Sequence, residues 1–248
     1  MQPADTFFDW TSRSTNIVFF GGAGVSTESG IPDFRSENGL YRQNYEFPPE
    51  TILSHDFFET HTDDFYRFYR EKMLCLTAQP NAAHRRLAQW ESEGRLRAIV
   101  TQNIDGLHQK AGSRRVWELH GSIHRNICLN CHAVCDASTI AACEGIPHCS
   151  ECGGIIKPDV VLYGEMLDDS VLRGAITAIE EAEVLIVAGT SLTVYPAAGL
   201  VRYYQGNKLI LINRTTTSYD SRANLVLHKN VGEILEAWEG RSKNGAGL

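Results

Sequence analysis

The sequence predicts an α/β protein: a parallel sheet with helices on both faces, plus a small inserted cysteine-rich domain. Three observations predict it. Runs of strand length at 16–20, 96–101, 183–188 and 208–212 are largely apolar and alternate with helical patterns, as strands buried on both faces do. Polar or glycine residues close these runs: Gly22-Ala23-Gly24, Gln102-Asn103-Ile104-Asp105, Gly189-Thr190-Ser191 and Asn213. Two Cys-x2-Cys pairs, separated by 17 residues, interrupt the alternation.

Each element has its own signal. Residues 5–13 read as a helix with Phe7, Phe8 and Trp10 as its apolar contribution. The run at 16–20 breaks at glycines, the strand-to-turn arrangement by which Rossmann-like domains present backbone amides to a pyrophosphate. Gly22-x-Gly24 followed by Ser26 and Thr27 is an incomplete version of that fingerprint. Residues 37–53 lack a period and read as a long loop; one so placed after a phosphate turn suits a lid, though an ordinary surface loop fits as well. Residues 55–75 read as helix, with Thr62 a cap for the second part and Phe65, Phe68, Tyr69 and Lys72 at helical spacing. Cys75 reads as a core residue on that helix. A helix from Asn81 to Glu93 stops at Gly94. After the strand at 96–101 comes a short helix closed by Gly112. A short strand at 159–163 follows the cysteine segment, and 169–182 is an amphipathic helix with Leu172, Ile176 and Ile179 inward. The strand at 183–188 leads to a helix starting near Pro196, which suits a first helical turn. Strands at 208–212 and 225–227 and a helix with Ile234, Leu235 and Trp238 complete the chain.

A chain of 248 residues can bury a sizeable core, and 43% hydrophobic with 21% charged residues is the balance of a globular domain. The net charge of −7 argues against nucleic-acid binding and suits basic, lysine-rich partners. No apolar run approaches the roughly 18 residues of a membrane span, and the acidic N-terminus is unlike a signal peptide. A cytoplasmic protein without membrane contact is therefore expected.

In a reducing compartment, paired cysteines bind metal more often than they form disulfides. Cys128, Cys131, Cys149 and Cys152 match the spacing of a closed four-thiolate zinc site, which leaves no open position for catalysis and so is structural. His124, His132 and His148 do not fit the knuckle spacing, and Cys135 and Cys143 fall outside it. The insertion at about 122–156 thus has a metal as its fold determinant, and a cleft between it and the sheet is a natural second-substrate site. His120 stands immediately before that insertion, where an imidazole can take up a proton near neutral pH.

Several stretches together resemble the sirtuin family, the NAD-dependent protein deacylases: Gly22-Ala23-Gly24-Val25-Ser26, Gly30-Ile31-Pro32-Asp33-Phe34-Arg35, Thr101 through His108, Leu119-His120-Gly121, the two cysteine pairs, Lys157 through Glu165, and Gly189-Thr190-Ser191-Leu192. The match covers about residues 8–240, so the chain looks like a minimal, bacterial-type member. The resemblance implies a single catalytic unit over 1–248. Its large Rossmann-like domain spans about 1–35, 78–121 and 157–248. The small domain is built from a helical insertion at about 36–77 and the zinc segment at 122–156.

The resemblance also implies the roles. Ala23, Thr27, Phe34 and Arg35 would line the NAD pocket, with Phe34 shielding the reacting ribose carbon. Gln102, Asn103, Ile104 and Asp105 would hold the nicotinamide ribose and carboxamide, with Asn103 and Asp105 counted with His120 as catalytic. Thr190, Ser191, Asn213 and the backbone near Val231 would hold the phosphate and adenosine end. Acetyl-lysine of a protein substrate would enter beside Val160, Val161 and Tyr163, and His120 would act as general base. The products would be lysine, nicotinamide and O-acetyl-ADP-ribose. Tyr163 stands where many members have phenylalanine and Gly21 where many have threonine. Tyr66 is followed three residues later by Tyr69, with Arg70 one place beyond the arginine of members that remove acidic acyl groups, so a neutral acyl group is expected. Mono-ADP-ribosyl transfer on the same fold, a hydride-transferring dehydrogenase, and a zinc-containing NAD-sensing module are the alternatives.

Overall fold

The computed structural model describes residues 2–34, 39–40 and 45–244. Helix α1 (Pro3–Arg13) leads into strand β1 (Ile17–Gly21), followed by 3-10 turns at Ala23–Val25 and Thr27–Ser29. Then come α2 (Pro49–Ile52), α3 (His55–Thr60) and α4 (Thr62–Phe68), the last continuing as a π-helical turn, Tyr69–Met73. Next are α5 (Ala82–Ser92), β2 (Leu96–Thr101), α6 (Leu107–Lys110) and β3 (Val116–Glu118). The cysteine segment contributes β4 (Gly121–Cys128), β5 (Val134–Cys135), α7 (Ala137–Ala142) and β6 (Ile156–Val160). The chain then runs through α8 (Asp169–Glu180), β7 (Val184–Ala188), a 3-10 stretch Ala197–Tyr203, β8 (Leu209–Ile212), β9 (Leu225–Leu227) and α9 (Val231–Asn244).

The large sheet has six parallel strands in the order β3-β2-β1-β7-β8-β9. Alternate side chains of β1 enter two different cores. Ile17 and Phe19 join a cluster with α5 and α9, whereas Val18 and Phe20 join one with α8 and the 3-10 stretch. That double burial is why the strands read as continuous apolar runs. The strand order reverses between β1 and β7, so their C-terminal ends open a crevice at the place where open α/β sheets bind ligands.

The second sheet, β5-β4-β6, is antiparallel and packs with α2–α4 over a third core containing Phe57, Phe58, Phe65, Tyr66, Ile123 and Ile156. Four expectations are corrected. The short strand lies at Ile156–Val160 rather than 159–163, because Val161 and Tyr163 donate their amides to His120 and Leu53 instead of to a strand ladder. The helix expected over 55–75 is broken at His61, whose φ of −134° leaves the helical region. Ser54 caps α3 by accepting from the Phe57 amide at 3.2 Å, while the Thr62 hydroxyl donates back to the Phe58 carbonyl and caps nothing. The segment after Pro196 winds as a 3-10 rather than an α-helix. Residues 37–38 and 41–44 of the expected loop lie outside the described residues. Among the described residues, no helix is long and apolar enough to cross a membrane.

Candidate active site

A cavity of about 570 Å³ opens at the crevice between β1 and β7 and extends to the second sheet. Its floor is built from strand ends. After β1, the Gly24 amide donates to the Gly189 carbonyl at 2.8 Å. A methyl group on Gly24 would sit 2.8 Å from Gly189 Cα, and one on Gly22 would sit 2.7 Å from Thr190 Cβ. The glycines are therefore required first by the close approach of two turns, at the β1–β7 switch, and only through it by a ligand.

Hydroxyl and amide groups knit the β1 turn to the β2 turn. Asp105 accepts from Ser26 Oγ at 2.6 Å and from the Leu107 amide at 2.9 Å. Ser26 Oγ in turn accepts from Asn103 Nδ2 at 3.0 Å. Ser26 is thus the pivot between the two residues singled out in the sequence. Its signal was its place in the glycine turn, but its role depends on a partner 79 positions away. Gln102 Nε2 reaches Thr190 Oγ1 at 3.4 Å, linking β2 to β7.

His120 occupies the short turn between β3 and β4, where the two sheets meet. Its Nδ1 lies 3.0 Å from the Gln102 carbonyl, which can only accept, so Nδ1 carries the proton. Nε2 is left with its lone pair and has no partner among the described residues. Burial lowers the His120 pKa below the ordinary 6.5, and the Gln102 carbonyl only partly offsets this. The ring is a neutral base at neutral pH.

The structure brings Ala23, Phe34, Gln102, Asn103, Ile104, Asp105 and His120 to one cavity wall system with Val160, Val161, Tyr163, Thr190, Ser191, Asn213 and Val231. Thr27 is not part of the lining; its hydroxyl donates to the Gly24 carbonyl at 3.0 Å. Arg35 lies outside the described residues. Several lining residues have no role in the sequence analysis, among them Val194, Tyr195, Arg214 and Lys229, and Cys75 has a different one. Arg214 follows Asn213 and lies 3.9 Å from Asp33 across the cavity. Cys75 is at the cavity wall rather than in the core, because the chain leaves the helix at Leu74. Glu28 accepts from the Gly232 amide at 2.8 Å, tying the first turn of α9 to the β1 turn.

The four thiols of Cys128, Cys131, Cys149 and Cys152 lie within 4.8 Å of one another, with pairs at 3.4 and 3.6 Å. Tetrahedral zinc with Zn–S near 2.3 Å places sulfurs about 3.8 Å apart, so the donor set and its size fit that ion. The histidines nearby are otherwise engaged: His148 Nδ1 with the Gly153 carbonyl and His124 Nε2 with the Asp105 carbonyl. Among the described residues this is the one His/Cys/Asp/Glu group of metal-binding size.

Comparisons with known proteins agree with this geometry. The model of the Sir2 family matches residues 22–196. An NAD-dependent protein deacetylase of Clostridium acetobutylicum is 61% identical over 228 residues, 91% of this chain and 93% of its own. One of Cutibacterium acnes is 53% identical over 92% of this chain and 94% of its own. A solved Sir2 with a p53 peptide and NAD+ superposes with a TM-score of 0.84 at 38% identity, covering 96% of this chain and 98% of that one. A Sir2 bound to acetylated peptide gives 0.84 at 36% identity, with 96% and 98% covered.

Proposed function

The chain belongs to the Sir2 family and is an NAD-dependent protein deacetylase, and from that premise we propose how its residues divide the reaction. The acetyl group moves from acetyl-lysine to ADP-ribose, releasing nicotinamide and O-acetyl-ADP-ribose. The observation that carries the assignment of roles is the His120 ring. It is oriented by the Gln102 carbonyl, with Nε2 unpartnered, in a cavity made from the ends of β1, β2, β7 and β8.

NAD is a co-substrate that supplies a ribose carbon able to accept the acetyl oxygen once nicotinamide leaves. Around it, the Gly22–Gly24 turn, Ala23, Thr190, Ser191, Asn213 and the start of α9 at Val231 hold the phosphates and adenosine. Thr27 supports that turn through Gly24, and Arg35 is proposed as a further NAD-binding residue. Gln102, Asn103, Ile104 and Asp105 hold the nicotinamide half, kept in register by Ser26. Phe34 excludes water from the developing oxocarbenium charge, which needs a dry, preorganised site. Val160, Val161 and Tyr163 guide the acetyl-lysine of a protein substrate past His120, and His120 Nε2 takes the proton of a ribose hydroxyl.

We assign one structural zinc to the four cysteines. The large unit of about 1–35, 78–121 and 157–248, with a small unit of about 36–77 and 122–156, is supported by the two sheets, although β6 joins the small sheet through Val160. Clustered free cysteines fit a reducing cytoplasm.

The test is mass spectrometry of an acetyl-lysine peptide incubated with and without NAD. Deacetylated peptide with O-acetyl-ADP-ribose, only when NAD is present, supports the function. ADP-ribosylated peptide that keeps its acetyl group would replace it with transferase chemistry.

A further inference from the structure

The segment Val160–Glu165 forms one side of the acyl-lysine entrance, yet it belongs to no sheet beyond Val160. Three of its backbone groups find main-chain partners outside the segment. The Val161 amide donates to the His120 carbonyl at 3.0 Å, the Tyr163 amide to the Leu53 carbonyl at 2.9 Å, and the Tyr163 carbonyl accepts from the His55 amide at 2.9 Å. Two side chains hold groups in between. Lys157 Nζ donates to the Val160 carbonyl at 3.0 Å, and the Leu162 amide donates to Glu165 Oε2 at 2.9 Å. Lys157 and Glu165 also pair with each other at 3.1 Å, with side-chain exposures of 16% and 20%. The other carboxylate oxygen, Oε1, lies 3.0 Å from His55 Nδ1 at the start of α3. The segment is thus strung between the turn that holds His120 and the helices of the small unit, and a charged triad locks its shape.

We propose that Glu165, with Lys157 and His55, is the positioning device for the peptide substrate: it sets the Val160–Tyr163 wall relative to His120 without touching the reacting atoms. The proposal rests on the deacetylase reading above. Mostly buried charges reward good geometry and penalise its loss, since removing one partner leaves the other desolvated and unpaired. Burial would raise the Glu165 pKa, but the Leu162 amide, His55 and Lys157 together hold it below its ordinary value, so the carboxylate stays charged. His55 is held above 6.5 chiefly by Glu165, against a smaller opposing effect of desolvation, with Glu59 and Asp56 of its own helix adding to the effect. The imidazolium contact to Glu165 is therefore complete below the ordinary imidazole value of 6.5 and is lost as pH rises past the raised value.

The experiment is steady-state deacetylation of one acetyl-lysine peptide, with peptide and NAD varied separately. Glu165→Gln and Lys157→Met are expected to raise the peptide KM about tenfold, with the NAD KM changing less than about twofold. Lys157→Arg, which keeps the charge, is expected to restore most of the loss. His55 is half exposed, so His55→Gln folds independently of the buried pair. It should raise the peptide KM modestly and abolish the rise of that KM with pH that is expected of the wild type. An unchanged peptide KM in folded Glu165→Gln, or equal rises for peptide and NAD, overturns the proposal. If Glu165→Gln does not fold, His55→Gln decides: a wild-type pH dependence of peptide KM in that variant overturns it. Wild-type protein inactive on every acetylated peptide would instead remove the deacetylase reading itself.

Discussion

At the scale of single residues, the proposed chemistry turns on one nitrogen. Because Nδ1 of His120 is committed to the Gln102 carbonyl, Nε2 is the atom available to act as base. His120→Ala is expected to cut turnover by about 10²–10⁴-fold, the range for loss of general-base catalysis, while NAD binding by calorimetry stays near wild type. The pH profile has a defined sign. The proposed base would work unprotonated, and burial lowers its pKa. The acid limb of kcat/KM should therefore fall below pH 6.5, and a limb centred above 6.5 would contradict the buried, neutral ring. His120 was legible because it directly precedes the inserted segment. Ser26 carried no such signal: a serine in a glycine turn gives no sign that Asn103 and Asp105 converge on it.

At the scale of elements, two joints carry the site. Gly121 opens β4 directly after His120, with φ at +75°. A methyl group there would lie 1.9 Å from the Asp159 carbonyl oxygen of β6. Gly121→Ala combines left-handed backbone strain with overpacking against main chain, so a loss of about 3 kcal/mol or more is expected in urea unfolding. The other joint is the cysteine cluster. Its short knuckles were readable from spacing alone, since two residues between cysteines bring paired thiolates to one point. One zinc per chain is expected by elemental analysis. Cys149→Ser should lower the metal content and reduce Tm by at least about 5 °C, because ligand binding in such a segment is folding energy. By contrast, the break between α3 and α4 was not legible. The aromatic spacing is helical across it, and Phe57, Phe58 and Phe65 from both sides of the break enter the same third core.

At the scale of the whole molecule, the two sheets meet along the cavity, and residues at their meeting bear on which acyl group is expected to be accepted. The Tyr66 hydroxyl donates to the Ile156 carbonyl, and Tyr69 is fully buried where members acting on acidic acyl groups would carry arginine. Arg70 stacks over the Tyr66 ring and does not line the cavity. Neither position supplies a cation to the cavity, and Lys72 of the same turn, which does line it, is paired with Glu71 at 2.8 Å. A succinylated peptide is therefore expected to react at least about tenfold more slowly than its acetylated counterpart, since an unpaired carboxylate would be desolvated there. Equal rates in a competition assay would refute this.

Local information determined much of the protein. Apolar runs announced five of the six parallel strands, glycine and polar residues marked their ends, and cysteine spacing defined the two cysteine knuckles. These follow from the pleat, the turn and the reach of a few bonds, all of which leave short-range patterns. Tertiary structure alone decided which strand ends become neighbours. The pairing of β1 with β7 across more than 160 residues puts Gly24 against Gly189. The closing of the Ser26–Asp105–Asn103 chain and the Lys157–Glu165 clamp likewise depend on sheet order and on how segment 160–165 bridges two sheets. Such contacts depend on global register rather than on local periodicity, so nothing in the nearby sequence encodes them.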